Sequence, residues 1–196
     1  MLVRDVMTSP ALTVRADAPL KEATSLLDAR SITTLPVVDS RGRPVGVVSE
    51  ADLISGMVPR DTRLHMTPSA TQAHSLPPET VGEVMNPHPL TVGESTDLAE
   101  AADLLTSTGV KSLPVLDEHG RVVGVISRRD IVHVLARPDA EIEAEIDDAF
   151  RRLGRDWLVD VTGGVVTVTG PVGAGEHGLA TTLAETVAGV TAVVIG

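Results

Sequence analysis

The chain has no cysteine and no tyrosine, and only one tryptophan and one phenylalanine among 196 residues. Without cysteine there is no disulfide, no thiolate metal site and no cysteine nucleophile, which fits a reducing compartment. With so few rings, a site that stacks nucleobases on aromatic side chains is disfavoured. The core must be built from Val, Leu, Ile, Ala and Met. Basic residues are also scarce: 16 Lys and Arg stand against 27 Asp and Glu, a net charge of −11. Non-specific nucleic-acid binding and polybasic membrane contact both need the opposite balance. No apolar run approaches the roughly eighteen residues of a membrane span. The opening "MLVRDVMTSP" lacks the apolar stretch of a secretory signal. These absences point to a cytoplasmic protein with no nucleic-acid partner.

What is present is ordinary in amount, with 42% apolar and 22% charged residues, enough to bury a core in one or two modest domains. Its arrangement is not ordinary. Met7 returns as Met85, "LTV" at Leu12 as "LTV" at Leu90, "LPVVD" at Leu35 as "LPVLD" at Leu113, and Gly46 as Gly124, always 78 residues later. Roughly twenty of about fifty positions are identical without a gap, which marks one supersecondary unit used twice.

Each copy reads as strand, helix, strand, strand, helix. "LTV" is a short strand. Leu20, Ala23 and Leu27, and their counterparts Leu98, Ala101 and Leu105, lie at helical spacing. "TTLPVVD" and "KSLPVLD" are strands, and the turns "SRG" and "EHG" each end in a glycine able to take positive φ. "RPVGVVS" and "RVVGVIS" are second strands leading into short helices. Neither copy covers its own sheet, so the two should pack together.

Residues 59–80 between the copies are rich in Pro, Thr, Ser and His and read as a surface linker. His65 and His74 there have no metal-ligand spacing. From Pro138 the pattern changes. "DAEIEAEIDDAFRRLG" is an amphipathic helix with Ile142, Ile146, Phe150 and Leu153 on one face. Strands "WLVDVTGG" and "VVTVTGPV", a helix "EHGLATTLAETVAG" and a strand "VTAVVIG" follow. "TGPVGAGEHG" lacks the Lys-Ser/Thr of a phosphate loop and reads as a connection.

The doubled block "LPVVD…GRPVGVVSEADLI" and "LPVLD…GRVVGVISRRDIV" resembles the CBS domain, and the pair resembles a Bateman module over about residues 1–136. Residues 139–196 resemble a BON domain, with "VTVTGPV" and "VAGVTAVV" as the carrying stretches. The implied fold class is α+β: tandem CBS repeats, each βαββα, packed as a pair (1–58 and 81–136), plus a small αββαβ BON-like domain. The resemblance implies binding of AMP, ADP, ATP or S-adenosylmethionine in clefts between the copies, as a regulatory ligand, with no required cofactor. It also implies a homodimer through the repeats and an unidentified protein partner. The family's Gly-x-x-Ser/Thr-x-x-Asp block falls on Ser49 with Asp52 and on Ser127 with Asp130. The Asp would hold the ribose hydroxyls and the Ser ribose or phosphate. Backbone near Thr13, Thr34 and Leu35, and near Thr91, Ser112 and Leu113, would frame the base.

Read locally, Ser49 and Ser127 are helix N-caps, with Asp52 and Asp130 reaching back as in a capping box. The two readings are compatible, because a helix N-terminus also offers free N–H groups to phosphate. The copies differ in charge. Arg128, Arg129 and Lys111 surround the second block, where the first has Glu50 and Thr33. Arginine favours phosphate, so the Asp130 cleft should take the more phosphorylated ligand. The Asp52 cleft would take a nucleoside, a cationic adenosyl compound or nothing. The plainer alternative puts both arginines on a solvated first turn. Of the other histidines, His119 falls in an exposed turn and His133 just after the second short helix, where surface or core packing is expected over an approach to phosphate, the alternative there; His88 and His177 are scattered. No zincin, Walker or nucleophile-elbow motif appears, and no acid–base pair can be nominated, so the chain reads as non-enzymatic. Residues 137–196 carry four Arg against ten Asp and Glu, which disfavours contact with anionic membranes. The competing expectation is an adaptor with vestigial clefts, acting in protein or membrane-surface interaction through the BON-like part.

Overall fold

The computed structural model describes residues 1–57, 78–171 and 173–196. The expected linker up to residue 77, with His65 and His74, lies outside the described residues. The first copy forms β1 (Val14–Arg15), α1 (Leu20–Arg30), β2 (Thr34–Val38), β3 (Pro44–Ser49) and α2 (Glu50–Met57). The second forms β4 (Val92–Gly93), α3 (Leu98–Ser107), β5 (Ser112–Leu116), β6 (Val122–Ser127) and α4 (Arg128–Leu135). In each copy the short first strand runs parallel to the second and the second antiparallel to the third. The register repeats as well: Thr34 faces Ser49 and Ser112 faces Ser127, with an irregularity between Val37 and Val38 and again between Val115 and Leu116.

The copies are joined by an exchange of their leading segments. Each segment has a one-turn 3-10 helix, Val3–Asp5 and Val81–Glu83. Val3 is fully buried, but in the second copy's core with Val92, Leu105, Leu113 and Ile126. Val81 is fully buried in the first copy's core with Val14, Leu27, Leu35 and Val48. Backbone bonds fix both arms. Val3 N donates to Thr96 O at 2.9 Å and Val81 N to Ala18 O at 3.0 Å. Thr8 exchanges two bonds with Val125, and Asn86 two with Val47. Each buried valine contributes about 1.5–3 kcal/mol of apolar transfer energy, and it does so only in the partner copy's core. Residues 1–11 therefore follow the second copy in space, although the sequence pattern groups them with the first.

Gly46 and Gly124 make this exchange possible. A Cβ on Gly124 would stand 2.5 Å from Met7 Sδ and 3.1 Å from Thr8 O. On Gly46 it would stand 2.7 Å from Met85 Sδ and 2.8 Å from Asn86 O. The methionine of each arm lies over the glycine of the opposite sheet.

The C-terminal unit comprises α5 (Asp139–Arg152), β7 (Leu158–Thr162), β8 (Val165–Thr169), α6 (Ala174–Thr186) and β9 (Ala192–Ile195), with sheet order β7-β8-β9. Alternation along β8 buries Val166 and Val168 against Ile142, Ile146 and Phe150 of α5. Phe150 and Trp157 meet edge to face at 5.0 Å, so both large aromatic rings of the chain serve this one core. Asp139 clamps the β7–β8 turn, its carboxylate accepting from Gly163 N at 2.7 Å and Gly164 N at 2.9 Å. The helix α6 begins at Ala174, two residues before the expected start at Glu176, so the end of the expected connection is helical. Gly173, at φ 86°, precedes it. Among the described residues no helix is long and apolar enough to cross a membrane.

The two repeat hairpins share an acidic turn. Asp39 accepts from the N–H groups of Arg41 and Arg43, and Asp117 from those of His119 and Arg121, at 2.8–2.9 Å. The Arg43 and Arg121 amides are the main cause holding the two carboxyls below their ordinary value of 3.8. A lowered carboxylate pKa gives stability that is present above the unfolded value and lost as pH falls through the folded one. Amide protection at Arg43 and Arg121, followed by NMR from neutral to strongly acidic pH, should therefore decline only below the ordinary aspartate range; loss centred above 3.8 contradicts the turn's role.

A second expectation concerns the exchange. Gly124→Ala should destabilise the protein by about 1–3 kcal/mol in urea unfolding through overpacking. Adding Met7→Ala should recover only part, since the Thr8 carbonyl stays close. A neutral Gly124→Ala contradicts the packing described.

Candidate ligand clefts

Both Ser–Asp pairs close into capping boxes. In the first copy, Asp52 Oδ2 accepts from Ser49 N at 2.8 Å and from Ser49 Oγ at 2.6 Å, and Asp52 N donates to Ser49 Oγ at 3.4 Å. In the second, Asp130 Oδ2 accepts from Ser127 N at 2.7 Å and Ser127 Oγ at 2.6 Å, with the same 3.4 Å return bond. Aspartate is shorter than the Glu or Gln usual at this position, yet it reaches in both copies. The box uses one carboxylate oxygen. Among the described residues none donates to Asp52 Oδ1, and Asp130 Oδ1 receives only Thr8 Oγ1, at 3.4 Å. Thr8 comes from the exchanged arm, so the first copy's leading segment reaches the second copy's site.

Strand register brings Thr34 beside Ser49 and Ser112 beside Ser127. Leu35 and Leu113 are fully buried, so only their backbone can face a ligand. Ser112 Oγ is buried and, among the described residues, has no hydrogen-bond partner. Such an unmet hydroxyl costs on the order of 1–3 kcal/mol. Thr13 lies apart from both carboxylates, in a shallow groove of about 340 Å³ with Arg15, Asp17 and Glu22. Thr91 is half-buried just before β4.

The cations do not act as one group. Arg128 donates from Nε and Nη2 to Leu105 O, at 3.2 and 2.9 Å. It ties α4 to the last turn of α3 while remaining exposed, and with Nε and Nη2 committed to Leu105 O its fork is turned away from a phosphate role. Lys111 Nζ lies 3.7 Å from Glu50 Oε2, so it reaches across to the first copy's helix start. Arg129 is left. It lines an open cleft of about 400 Å³ together with Asp130, His133, Arg137 and Ala188. His133 lies inside α4, not after it, which is what turns it into this cleft. Sequence reasoning missed Thr8, Arg137 and Ala188. Thr8 follows the repeated Val-Met pair (Val6-Met7, Val84-Met85), and that repetition was the available signal. For Arg137 and Ala188 there was none. Among the described residues, no His, Asp and Glu cluster suited to a metal is present.

The CBS domain family model matches residues 3–58 and 81–137. The chain belongs to the CBS domain family. It is 31% identical over 137 residues to a CBS domain-containing protein of Dictyostelium discoideum, covering 70% of this chain and 92% of that one. It is 35% identical over 144 residues to the chloroplastic CBS domain-containing protein CBSX2 of Arabidopsis thaliana, covering 66% of this chain and spanning 60% of the relative. The crystal structure of CBSX2 in complex with AMP superposes with a TM-score of 0.55 at 34% identity, over 67% of this chain and 93% of the crystallised one. The α+β CBS pair is thus the architecture of the first two-thirds of the chain. CBS pairs are in general regulatory modules.

Because Ser127 closes its cap through its hydroxyl, Ser127→Ala should lower stability by about 0.5–2 kcal/mol, read by chemical denaturation. Ser127→Gly should cost less in the cap itself. An alanine variant as stable as the parent contradicts the capping role.

Proposed function

We propose that this CBS pair is a regulatory, non-enzymatic sensor of an adenosine-bearing ligand: AMP, ADP, ATP or S-adenosylmethionine. The observation that carries the reading is the divided carboxylate. In each copy one Asp oxygen holds the cap and the other faces away from it. An ionised carboxylate has about four lone-pair sites, so Asp52 and Asp130 can accept from a ribose diol without releasing the helix. The AMP complex of CBSX2, at 34% identity, supports the ligand class. Ser49, Ser127, Thr34, Ser112 and the backbone at Leu35 and Leu113 adjoin the diol site, with Thr13 and Thr91 further along the sheet. Arg129 takes the phosphate role, while Arg128 and Lys111 serve the frame.

The division proposed is 1–58 and 81–136 for the repeats, 59–80 for the linker and 139–196 for a BON-like unit, the last supported by its αββαβ order. Ile54, Val132 and Leu135 are each more than 60% exposed on α2 and α4. Ile54 and Val132 are repeat counterparts, and two matching apolar faces favour a homodimer. The output is a contact with a protein partner, in the cytoplasm. One observation favours the adaptor reading instead: Thr8 already reaches Asp130 Oδ1, as it would in a vestigial cleft that satisfies itself. On that reading the BON-like unit carries the protein or membrane-surface contact.

Calorimetric titration decides between them. Asp130→Asn and Asp52→Asn should each weaken AMP at the affected cleft about tenfold or more, the worth of a charge-assisted hydrogen bond. AMP at a hundred times its Kd should add about 2.7 kcal/mol of stability. Absence of any stabilisation by adenosine compounds would establish the adaptor.

A further inference from the structure

Resting on the nucleotide reading above, we propose that the C-terminal unit forms one wall of the Asp130 cleft. A single ligand phosphate, held by Arg129 and His133, couples occupancy of this cleft to the docking of that unit. The wall is Ala188, in the turn between α6 and β9. It reaches the cleft because Arg137 holds it there: Arg137 Nη1 donates to Ala188 O at 2.6 Å and Nη2 to Glu145 Oε2 at 2.7 Å. The next residue, Gly189, has φ 96°, and a Cβ on it would stand 2.7 Å from Ile142 Cδ1 and 3.2 Å from Val134 O. The turn therefore sits directly on the last turn of α4, the helix whose first turn carries Asp130.

Arg129 and His133 lie one turn apart on α4, on one helix face, and both line the cleft. Among the described residues neither makes a hydrogen bond, and Arg129 makes no ion pair. Arg137 is paired with Glu145, and two carboxylates, Asp5 and Asp130, share the walls. One unpaired guanidinium beside two carboxylates suits one phosphate; a longer chain of phosphates would meet Asp5. This narrows the expected phosphorylated ligand of the Asp130 cleft to a monophosphate. The first copy has Ala51 and Ser55 where the second has Arg129 and His133. The Arg129–His133 pair thus belongs only to the cleft that the C-terminal unit walls.

The test uses the full chain with AMP and adenosine as probes, calorimetry for affinity and hydrogen exchange for residues 187–190. AMP should bind about tenfold tighter than adenosine, the scale of a charge-assisted contact, and should slow exchange in 187–190 several-fold. Arg129→Ala, at an exposed position, should bring AMP affinity most of the way down to that of adenosine and reduce the exchange response, His133 supplying the remainder; an Arg129→Ala variant that binds AMP like the parent overturns the phosphate assignment. Arg137→Lys keeps the charge but cannot hold Ala188 and Glu145 together; it should abolish the exchange response and weaken AMP. If AMP binds and Asp130→Asn weakens it, yet exchange in 187–190 stays constant and Arg137→Lys binds normally, the shared wall is refuted while the nucleotide reading stands. If Asp130→Asn binds AMP as tightly as the parent, the ribose reading fails and this proposal fails with it.

Discussion

The structure of the pair depends on two buried valines that lie in each other's repeat. Val3 completes the second core and Val81 the first. Sheets of three short strands with one covering helix bury little surface alone, and small cores are marginal. The exchange adds to each core a side chain that its own copy cannot place there, and it sets the relative position of the two sheets. The glycines under Met7 and Met85 follow from this, since each arm must come within van der Waals contact of the opposite sheet. Everything at the clefts is placed by that frame. Thr8 meets Asp130 because the arm that carries it has crossed over.

Much of this was legible in the sequence. The 78-residue repeat predicted matching elements, and the helix periodicity around Leu20 and Leu98 located α1 and α3. The Ser–Asp spacing predicted the caps, which formed with the shorter carboxylate. The crossing of the arms was not legible, because Val3 and Val81 are apolar in either arrangement and periodicity does not say whose core they enter. The fate of Arg128 was hidden for a related reason. Its position predicts a phosphate contact as readily as a bond to Leu105 O, and only the approach of α3 to α4 selects the second. The early start of α6 was masked by Gly175, which argues against a helix locally but lies within one whose buried face is Ala180 and Ala184.

A duplicated frame offers two equivalent places, and substitutions at a few positions make them different. Glu50 against Arg128, Ala51 against Arg129 and Ser55 against His133 lie on the same helical turns in the same register. The third unit adds to this asymmetry. It follows the second copy after a single Pro, and Arg137, before that Pro, holds it by hydrogen bonds to Ala188 O and Glu145. So short a junction lets little relative motion occur without breaking the Arg137 bonds.

The crossed arms bear on ancestry. A chain cut to one half carries an arm with no groove of its own and a groove with no arm, and two such chains would supply each other with both. A symmetric pair of single-repeat polypeptides is thus the natural forerunner of this fold, and gene fusion had only to join what was already interlocked.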